Sequence, residues 1–588
     1  MTAASCKPRP MGARSRQRWR HGAILVAIIA LGAFLRFGNL AVKPLWLDEI
    51  VTALMALGRG YEAVPVGVTL TPSELERLFA LPPDGNCARV ARLIGTQSTH
   101  PPLFFCLMHQ WLQGLSSLAA SLAWKLRSLP ALGSLVAIAA IYALNRLAVS
   151  PRAGLAGAAA MAVSPFGIYL AQEARQYGIL LALILLALVG MLQIQRDAEC
   201  GRQRPLVWLG WGAINIAGCY THYFFLLALF AQAVVLIVQL YRHPSHLAAL
   251  GGTLASIGLA YWPWIPYLLQ HYGDAKTGWL PEPDLLGPLY RTLAGWIVMA
   301  VMLPLERQPL GIQIASGAAM LAFAGWLAWQ IAAGMRRLWR QPATRSAIQS
   351  IGGFAVAVLL QFLALIYGLE RDTSVAFRYN CIYFPAFCAL VGASLQAQWN
   401  QLSQYSLRRL RPRFPARTTL VVAVGIVSSL VVISDLAFAK PYLPARVTSQ
   451  LERAPEPLML AMGYRHPLGL ARSLSYAWAL NGAADSSETQ FALFELEGDG
   501  SRIWQRVSDL SDAPQSLWVM LPDLERADYP PVLTVGARPC QRHERAYHRL
   551  MGWSVPIAYQ RYSCDRGTDI RQGQSSLSAA APWPRNWL

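Results

Sequence analysis

Asp48 and Glu49 stand side by side in the stretch Lys43-Pro44-Leu45-Trp46-Leu47-Asp48-Glu49-Ile50-Val51, just after the first long apolar run of the chain. Carboxylates at the mouth of a transmembrane helix cost free energy and are rare there unless they act. With Trp46, Leu47, Ile50 and Val51 around it, a partly desolvated carboxylate can serve as a general base. A solvated pair at a helix N-terminus is the bland alternative. This stretch alone leaves both open.

Five other places carry side chains that can hold an anion or move a proton. Gln172-Glu173-Ala174-Arg175-Gln176-Tyr177 sets a carboxylate, a guanidinium and a phenol at a helix junction. Glu173 and Arg175 form either a local surface pair or an acceptor-side carboxylate beside an anion-binding arginine. Tyr220-Thr221-His222-Tyr223 is a short turn between two apolar runs, and aromatic belts explain its tyrosines without further help. Arg378-Tyr379 opens another run, where the arginine either snorkels or holds a phosphate. Lys276 has the same two readings, and His100-Pro101-Pro102 gives a rigid entry to the apolar stretch 103–118.

The elements that must position these residues are membrane spans. The chain has 588 residues, 54% hydrophobic and 14% charged, and its mean hydropathy is +0.33; a bundle of spanning helices needs that much apolar surface and a soluble domain does not. At about 1.5 Å per residue, roughly 20 residues cross the hydrocarbon. The candidate spans are 22–40, 127–147, 153–171, 177–195, 206–221, 223–241, 248–269, 310–333, 349–368, 379–398 and 417–438, about eleven crossings.

The formal charge of +20 sits mostly in connectors, so it orients the protein and does not point to nucleic acid. Arg146 with Arg152, Arg196 with Arg202 and Arg204, Arg336 with Arg337 and Arg340, and Arg408 to Arg417 fall on one side if 41–126 is a single external loop. That parity makes 103–118 interfacial or re-entrant, lays 289–304 along the outer surface, and turns Asp48, His100, Glu173, His222, Lys276 and Arg378 outward. The expected organisation is a basic cytoplasmic N-terminus (1–21), a membrane domain (22–440), an extracytoplasmic α/β module (441–564) and a flexible tail (565–588).

Within the α/β module, SLWVML and VLTVGA read as strands and HPLGLARSLSYAWAL as a helix. Cys106, Cys219, Cys381 and Cys388 lie in apolar runs and read as core thiols. Cys540 and Cys564 can bridge if the module lies outside the cytoplasm. The stretch His543-Glu544-Arg545-Ala546-Tyr547-His548 is one residue too long to set two histidines on one helical face, so no metal is assigned to it.

Taken in order, a helix ending in Arg36, then Trp46-Leu47-Asp48-Glu49, His100-Pro101-Pro102-Leu103, Ser164-Pro165-Phe166, Tyr169, Gln172 to Tyr177, Tyr220 to Tyr223 and Arg378-Tyr379 form a set. This set resembles the bacterial family 39-type glycosyltransferases of the GT-C fold, related to protein O-mannosyltransferases and aminoarabinose transferases. The resemblance covers roughly 30–400. It implies an α-helical polytopic protein of the bacterial cytoplasmic membrane, which takes a sugar from a polyprenyl-phosphate carrier at the outer face. It also implies Asp48 as catalytic carboxylate, with Glu49 beside it and Glu173 in the second external loop. Glu173-Ala174-Arg175 stands where the protein mannosyltransferases carry an aspartate-containing motif, so the acceptor stays open among lipid, glycan and protein.

The chemistry of such a donor asks for the same residue types. A sugar phosphate brings its own leaving group, so one base suffices, and inversion at the anomeric carbon follows. Asp48 is the expected base. Arg378, Arg175 and Lys276 are the expected phosphate holders, with His100, Tyr177, His222 and Tyr379 around the substrate. No cofactor follows from the sequence; a divalent metal between carboxylates and donor phosphate is compatible with it, but no ligand set requires one. A polytopic transporter or lipid-linked glycan flippase is the alternative. It usually shows midplane charges or two repeated halves, and neither is visible.

Overall fold

The computed structural model describes residues 15–272, 280–405, 416–440, 442–452, 457–483, 489–496, 502–510, 514–550 and 556–564. Lys276, Arg408 to Arg413, the tail from 565 and most of the N-terminal segment 1–21 lie outside the described residues. The chain forms two compact units. One comprises Met1–Val64, Ser73–Thr448 and His466–Gly482; the other comprises Pro65–Pro72, Ser449–Arg465 and Ala483–Leu588.

The first unit is helical. Six described helices are long and apolar enough to cross a membrane: Trp19–Phe37, Leu122–Ala148, Tyr177–Glu199, Leu310–Arg340, Pro342–Gly368 and Ala416–Ile433. A seventh joins them if the bent pair Pro151–Ala162 and Pro165–Ala171 is one span. The chain is a multi-pass membrane protein. The other four expected spans coincide with the helices Pro205–Thr221, Phe225–Leu240, Pro244–Tyr261 and Phe384–Tyr405. The stretches read as non-crossing are the helices Leu103–Gly114 and Gly287–Ala300, of 12 and 14 residues. At about 1.5 Å per residue, neither reaches across a hydrocarbon core about 30 Å thick.

The bent pair explains Arg36. Pro165 has no N–H to continue the preceding helix and disfavours helical backbone at Ser164, so the chain turns by 62° there. Ser164 caps the second segment through the Gly167 N–H, 3.4 Å away. The turn strands carbonyls at the end of Pro151–Ala162, where little water reaches them. Arg36 supplies the donors: its two Nη atoms reach the Met161 and Ala162 carbonyl oxygens at 2.9 Å each, while Nε donates to Ser134 Oγ at 2.7 Å. The charge that interrupts the first apolar run is a capping device for a broken helix. Beyond the break, Pro165–Ala171 delivers the chain to Gln172, whose Nε2 donates to the Gly38 carbonyl at 2.8 Å.

Helices Leu122–Ala148 and Tyr177–Glu199 approach closely at Gly178, where a Cβ would overlap the Pro130 carbonyl. That approach sets Tyr177 and Arg127 at neighbouring helix ends.

The second unit is built on a seven-stranded sheet. Its strands are β1 (Thr69–Leu70), β2 (Leu458–Tyr464), β3 (Gln490–Glu495), β4 (Ser516–Pro522), β5 (Val532–Val535), β6 (Arg538–Leu550) and β7 (Ile557–Cys564), in the order β1-β3-β2-β4-β7-β6-β5. β2 runs parallel to both β3 and β4, and the other pairings are antiparallel. Every residue of β2 and β4 is buried, which suits their near-continuous apolar sequences. SLWVML and VLTV are therefore strands, and HPLGLARSLSYAWAL forms the helix Pro467–Ala483, which the contacts assign almost wholly to the helical unit.

Cys540 and Cys564 are paired across β6 and β7 and form a disulfide. Cys106 is not the core thiol expected from its apolar surroundings, because it is bonded to Cys87. Helices Cys87–Gln97 and Leu103–Gly114 face each other at their first turns, which the hydrophobic pattern around Cys106 does not reveal. His543 to His548 lie on β6, an extended strand, and among the described residues no group of three or more His, Cys, Asp or Glu is placed to hold a metal.

Candidate active site

Helix Leu47–Ala56 starts within the Trp46-Leu47-Asp48-Glu49 stretch, and Glu49 fixes how it starts. The Glu49 carboxylate accepts from the Trp46 N–H at 3.2 Å, and from the Ala174 N–H at 2.8 Å in the loop after the broken helix. Arg127 grips it with two bonds of 2.7 Å, through Nε and Nη2. The remaining Arg127 donors reach the carbonyls of Leu40, Lys43 and Pro44 at 2.8–3.0 Å. Burial alone would raise the Glu49 pKa, but the Arg127 ion pair and the Ala174 N–H hold it below the usual carboxylate range. Glu49 is a fully buried anion with its acceptor capacity in use. It locks three chain segments together.

Asp48, one residue earlier, faces a different neighbourhood. Its Oδ2 lies 3.3 Å from Arg378 Nη2. Arg175 Nη1 donates to the Asp48 carbonyl and to Thr52 Oγ1, 3.3 Å in each case, and its Nη2 donates to His100 Nε2 at 2.8 Å. The His100 and His222 rings are 6.1 Å apart, and the Tyr177 and Tyr379 rings lie 6.1 and 6.4 Å from His222. The structure thus gathers seven of the expected residues, Asp48, His100, Arg175, Tyr177, His222, Arg378 and Tyr379, into one cluster.

The surroundings of both histidines favour the neutral form. Burial lowers the His100 pKa well below 6.5, and Arg175 lowers it further. Burial, then Arg175 and Arg378, bring His222 down to about 3. Because His100 Nε2 accepts from Arg175, its proton sits on Nδ1, 3.2 Å from Ser98 Oγ. Because His222 Nδ1 accepts from the Phe224 N–H at 3.0 Å, its proton sits on Nε2. That Nε2 is buried without a hydrogen-bond partner among the described residues. It is a spare donor beside two arginines.

Glu173 stands apart from this cluster. It pairs with Lys440, whose Nζ also lies 3.8 Å from the centre of the Trp46 ring and 5.2 Å from that of Tyr169. The Arg378 guanidinium carbon is 5.5 Å from the same Trp46 ring, so the indole adjoins both groups of charges.

A further layer holds the stretch from behind. The Leu47 N–H donates to the Tyr442 hydroxyl. Tyr476 Oη donates to the Tyr442 carbonyl at 2.7 Å, and Ser475 Oγ donates to the Leu45 carbonyl at 2.6 Å. Sequence reading missed Arg127, Lys440, Tyr442, Ser475 and Tyr476. Arg127 gave one signal, a charge at the lip of an apolar run. The others gave none. An apolar groove completes the surroundings, lined by Leu293, Trp296, Leu359, Phe362 and Ile366 and by Tyr379, the residue next to Arg378.

A carboxylate beside two arginines, two histidines and a nearby apolar groove make a site that can hold an anionic group next to an apolar chain. Residues 99–264 match a protein family described as dolichyl-phosphate-mannose-protein mannosyltransferase. The match takes in His100, Arg127, Glu173, Arg175, Tyr177 and His222, and over that stretch the chain resembles the family. Among solved structures it is similar to ArnT from Cupriavidus metallidurans bound to undecaprenyl phosphate, at 13% identity over 93% of this chain and 98% of that one, with a TM-score of 0.48. It is also similar to the archaeal oligosaccharyltransferase AglB from Archaeoglobus fulgidus in complex with an inhibitory peptide and a dolichol-phosphate, at 13% identity over 79% of this chain and 64% of that one, with a TM-score of 0.43. No curated protein sequence matches the chain.

Proposed function

We propose that the chain is an inverting glycosyltransferase of the bacterial cytoplasmic membrane. It transfers a sugar from a polyprenyl-phosphate donor to a hydroxyl acceptor at the extracytoplasmic face. The observation that carries this reading is Asp48 held beside Arg378 and Arg175, next to the groove that Tyr379 lines. The family match over 99–264 supports the donor class.

In this reading the polyprenyl tail lies in the groove and the phosphate sits between Arg378 and Arg175, with His222 Nε2–H as a further donor. Asp48 takes the acceptor's hydroxyl proton while the acceptor oxygen attacks the anomeric carbon from the face opposite the phosphate. The bond from that carbon to the phosphate oxygen breaks, and its electron pair leaves with the phosphate. The products are the glycosylated acceptor and polyprenyl phosphate. Arg378 and Arg175 stabilise the charge that grows on the departing oxygen. Glu49 touches no reacting atom; it positions Asp48. Lys276, which lies outside the described residues, is the third phosphate holder in this reading.

The test uses membranes of the source organism, so that the native acceptor is present. A panel of radiolabelled polyprenyl-phosphate sugars is supplied to wild type and to Asp48→Asn, and label leaving the carrier is followed. Transfer by wild type that collapses in the variant supports the reading. Equal transfer by both removes Asp48 from the mechanism. Absence of transfer from every donor, with labelled lipid instead changing leaflet, favours the flippase.

A further inference from the structure

The helical unit has a second cavity, lined in part by Glu49 and Arg127, that the transfer step does not use. Its lining holds five cations, Lys43, Arg127, Arg307, Lys440 and Arg446, against three carboxylates, Glu49, Glu173 and Asp435. Arg127 pairs with Glu49, Lys43 with Asp435 at 3.5 Å, and Lys440 with Glu173. The cations outnumber the acids, so the cavity carries a net positive charge. Arg307 and Arg446 are exposed, whereas Lys43 and Lys440 are largely covered.

Two independent features mark this cavity as built for a ligand. Glu173 is 4% exposed and lines the cavity; its Oε2 is buried and makes no well-formed hydrogen bond among the described residues, with the Tyr169 phenol as its polar neighbour. A buried acceptor left unmade is costly, and a ligand hydroxyl would satisfy it. The backbone is also strained here. Seven described non-glycine residues have positive φ, and four of them line this one cavity: Arg307 (59°), Asp435 (58°), Phe438 (58°) and Leu443 (46°). Such conformations cost energy for bulky residues and concentrate where a ligand is held. Glu306 keeps the 438–439 turn in place by accepting from the Phe438 N–H at 3.2 Å and from the Ala439 N–H. Tyr169 and Phe438, stacked with ring centres 4.2 Å apart, give the cavity an aromatic wall.

The geometry points to a second anion subsite that recognises the acceptor: a saccharide carrying a phosphate or carboxylate group. Its anionic group meets Arg307 and Arg446 at the mouth, together with Lys43 and Lys440 deeper in, and a hydroxyl meets Glu173 Oε2. Trp46 adjoins the cavity and precedes Asp48 by two residues, so a saccharide seated there lies beside the base. This rests on the transferase reading for its purpose but not for its detection, because binding is measured without turnover.

Purified full-length protein in detergent is titrated with glucose 6-phosphate, glucuronate, inorganic phosphate and glucose, and thermal stability is followed. Polyprenyl phosphate is titrated in parallel. Glucose 6-phosphate or glucuronate is expected to raise the Tm saturably while glucose does not, and Arg307→Gln/Arg446→Gln is expected to need at least tenfold more of the anionic sugar. That variant still responds to polyprenyl phosphate, which shows that it is folded and that the donor site is separate. Equal effects of glucose and its phosphate, an unchanged response in the variant, or no saturable shift with either anionic sugar overturns the proposal. An effect of inorganic phosphate equal to that of glucose 6-phosphate overturns the saccharide part of it. Failure of polyprenyl phosphate to bind, with the anionic sugars still binding, counts against the donor reading and leaves this site standing.

Discussion

Asp48 Oδ2 and Arg378 Nη2 face each other at 3.3 Å, so the expected base and the expected phosphate holder share a contact. A phosphate arriving at Arg378 competes with Asp48 for that guanidinium. In the proposed reaction donor binding frees the carboxylate for the acceptor proton, which ties the order of events to one ion pair.

The two partners should fail differently. Asp48→Asn removes the base and keeps the volume, so kcat is expected to fall about 10²–10⁴-fold with little change in donor affinity. Arg378→Gln removes charge stabilisation from the leaving phosphate, with an expected loss of about 10²–10³-fold in kcat and weaker donor binding as well. Steady-state kinetics with donor varied separates the two. Identical kcat and KM changes in both variants would contradict the assignment.

Glu49 and Arg127 form a buried pair in which each group has several partners, so removing one leaves the other uncompensated. Arg127→Gln is expected to destabilise the protein by about 3–5 kcal/mol, visible as a lower Tm in detergent. Glu49→Gln leaves one oxygen, so only one of the Trp46 and Ala174 N–H groups keeps an acceptor and Arg127 loses its counter-charge; a comparable fall in Tm is expected. A catalytic Glu49 would instead show a large loss of kcat with unchanged Tm.

The short motifs were legible because their members are neighbours in sequence and their chemistry is local. Asp48, Arg175, His222 and Arg378 each sit at an apolar run's end, where charge demands explanation. Glu49 and Glu173 were read as chemical carboxylates for the same reason, and what separates them from Asp48 is their partners. Arg127 is 78 residues from Glu49 and Lys440 is 267 residues from Glu173. No periodicity encodes such pairings; the bent helix and the close approach at Gly178 create them. Hydropathy likewise located the long apolar helices but not the shorter Leu47–Ala56, Pro72–Leu78 and Cys87–Gln97, and Cys106 looked like a core thiol because its partner Cys87 lies in a more polar helix.

Acid should loosen the site through His222. Its pKa is about 3 in the folded protein against an ordinary 6.5. Between those values the unfolded chain binds the extra proton and the folded protein does not, so stability rises with pH across that window. This contribution is fully present above pH 6.5 and is lost as the pH falls towards 3. His100 shifts in the same direction. Tm measured from pH 7.5 down to pH 4 is expected to drop for wild type and to drop less steeply for His222→Asn. A parallel decline in both would show that other groups set the acid limit.

Tyr442 tests whether the residues behind the catalytic stretch position it. Its hydroxyl accepts from the Leu47 N–H, and its carbonyl is held by Tyr476 on the helix Pro467–Ala483, which follows β2. Tyr442→Phe keeps the ring and strands that partly buried N–H, at a cost of about 1 kcal/mol. A shift of Leu47 moves Asp48 with it, and misplacement by about 1 Å can cost 10²-fold in rate. The expected outcome is a reduced kcat with unchanged affinity for polyprenyl phosphate, since Arg378 and Arg175 are untouched. Ser475→Ala, which frees the Leu45 carbonyl on the same stretch, should act in the same direction and less than additively with Tyr442→Phe, because both hold one segment. Full additivity, or a loss confined to donor affinity, would mean that these contacts stabilise the fold without setting the position of Asp48.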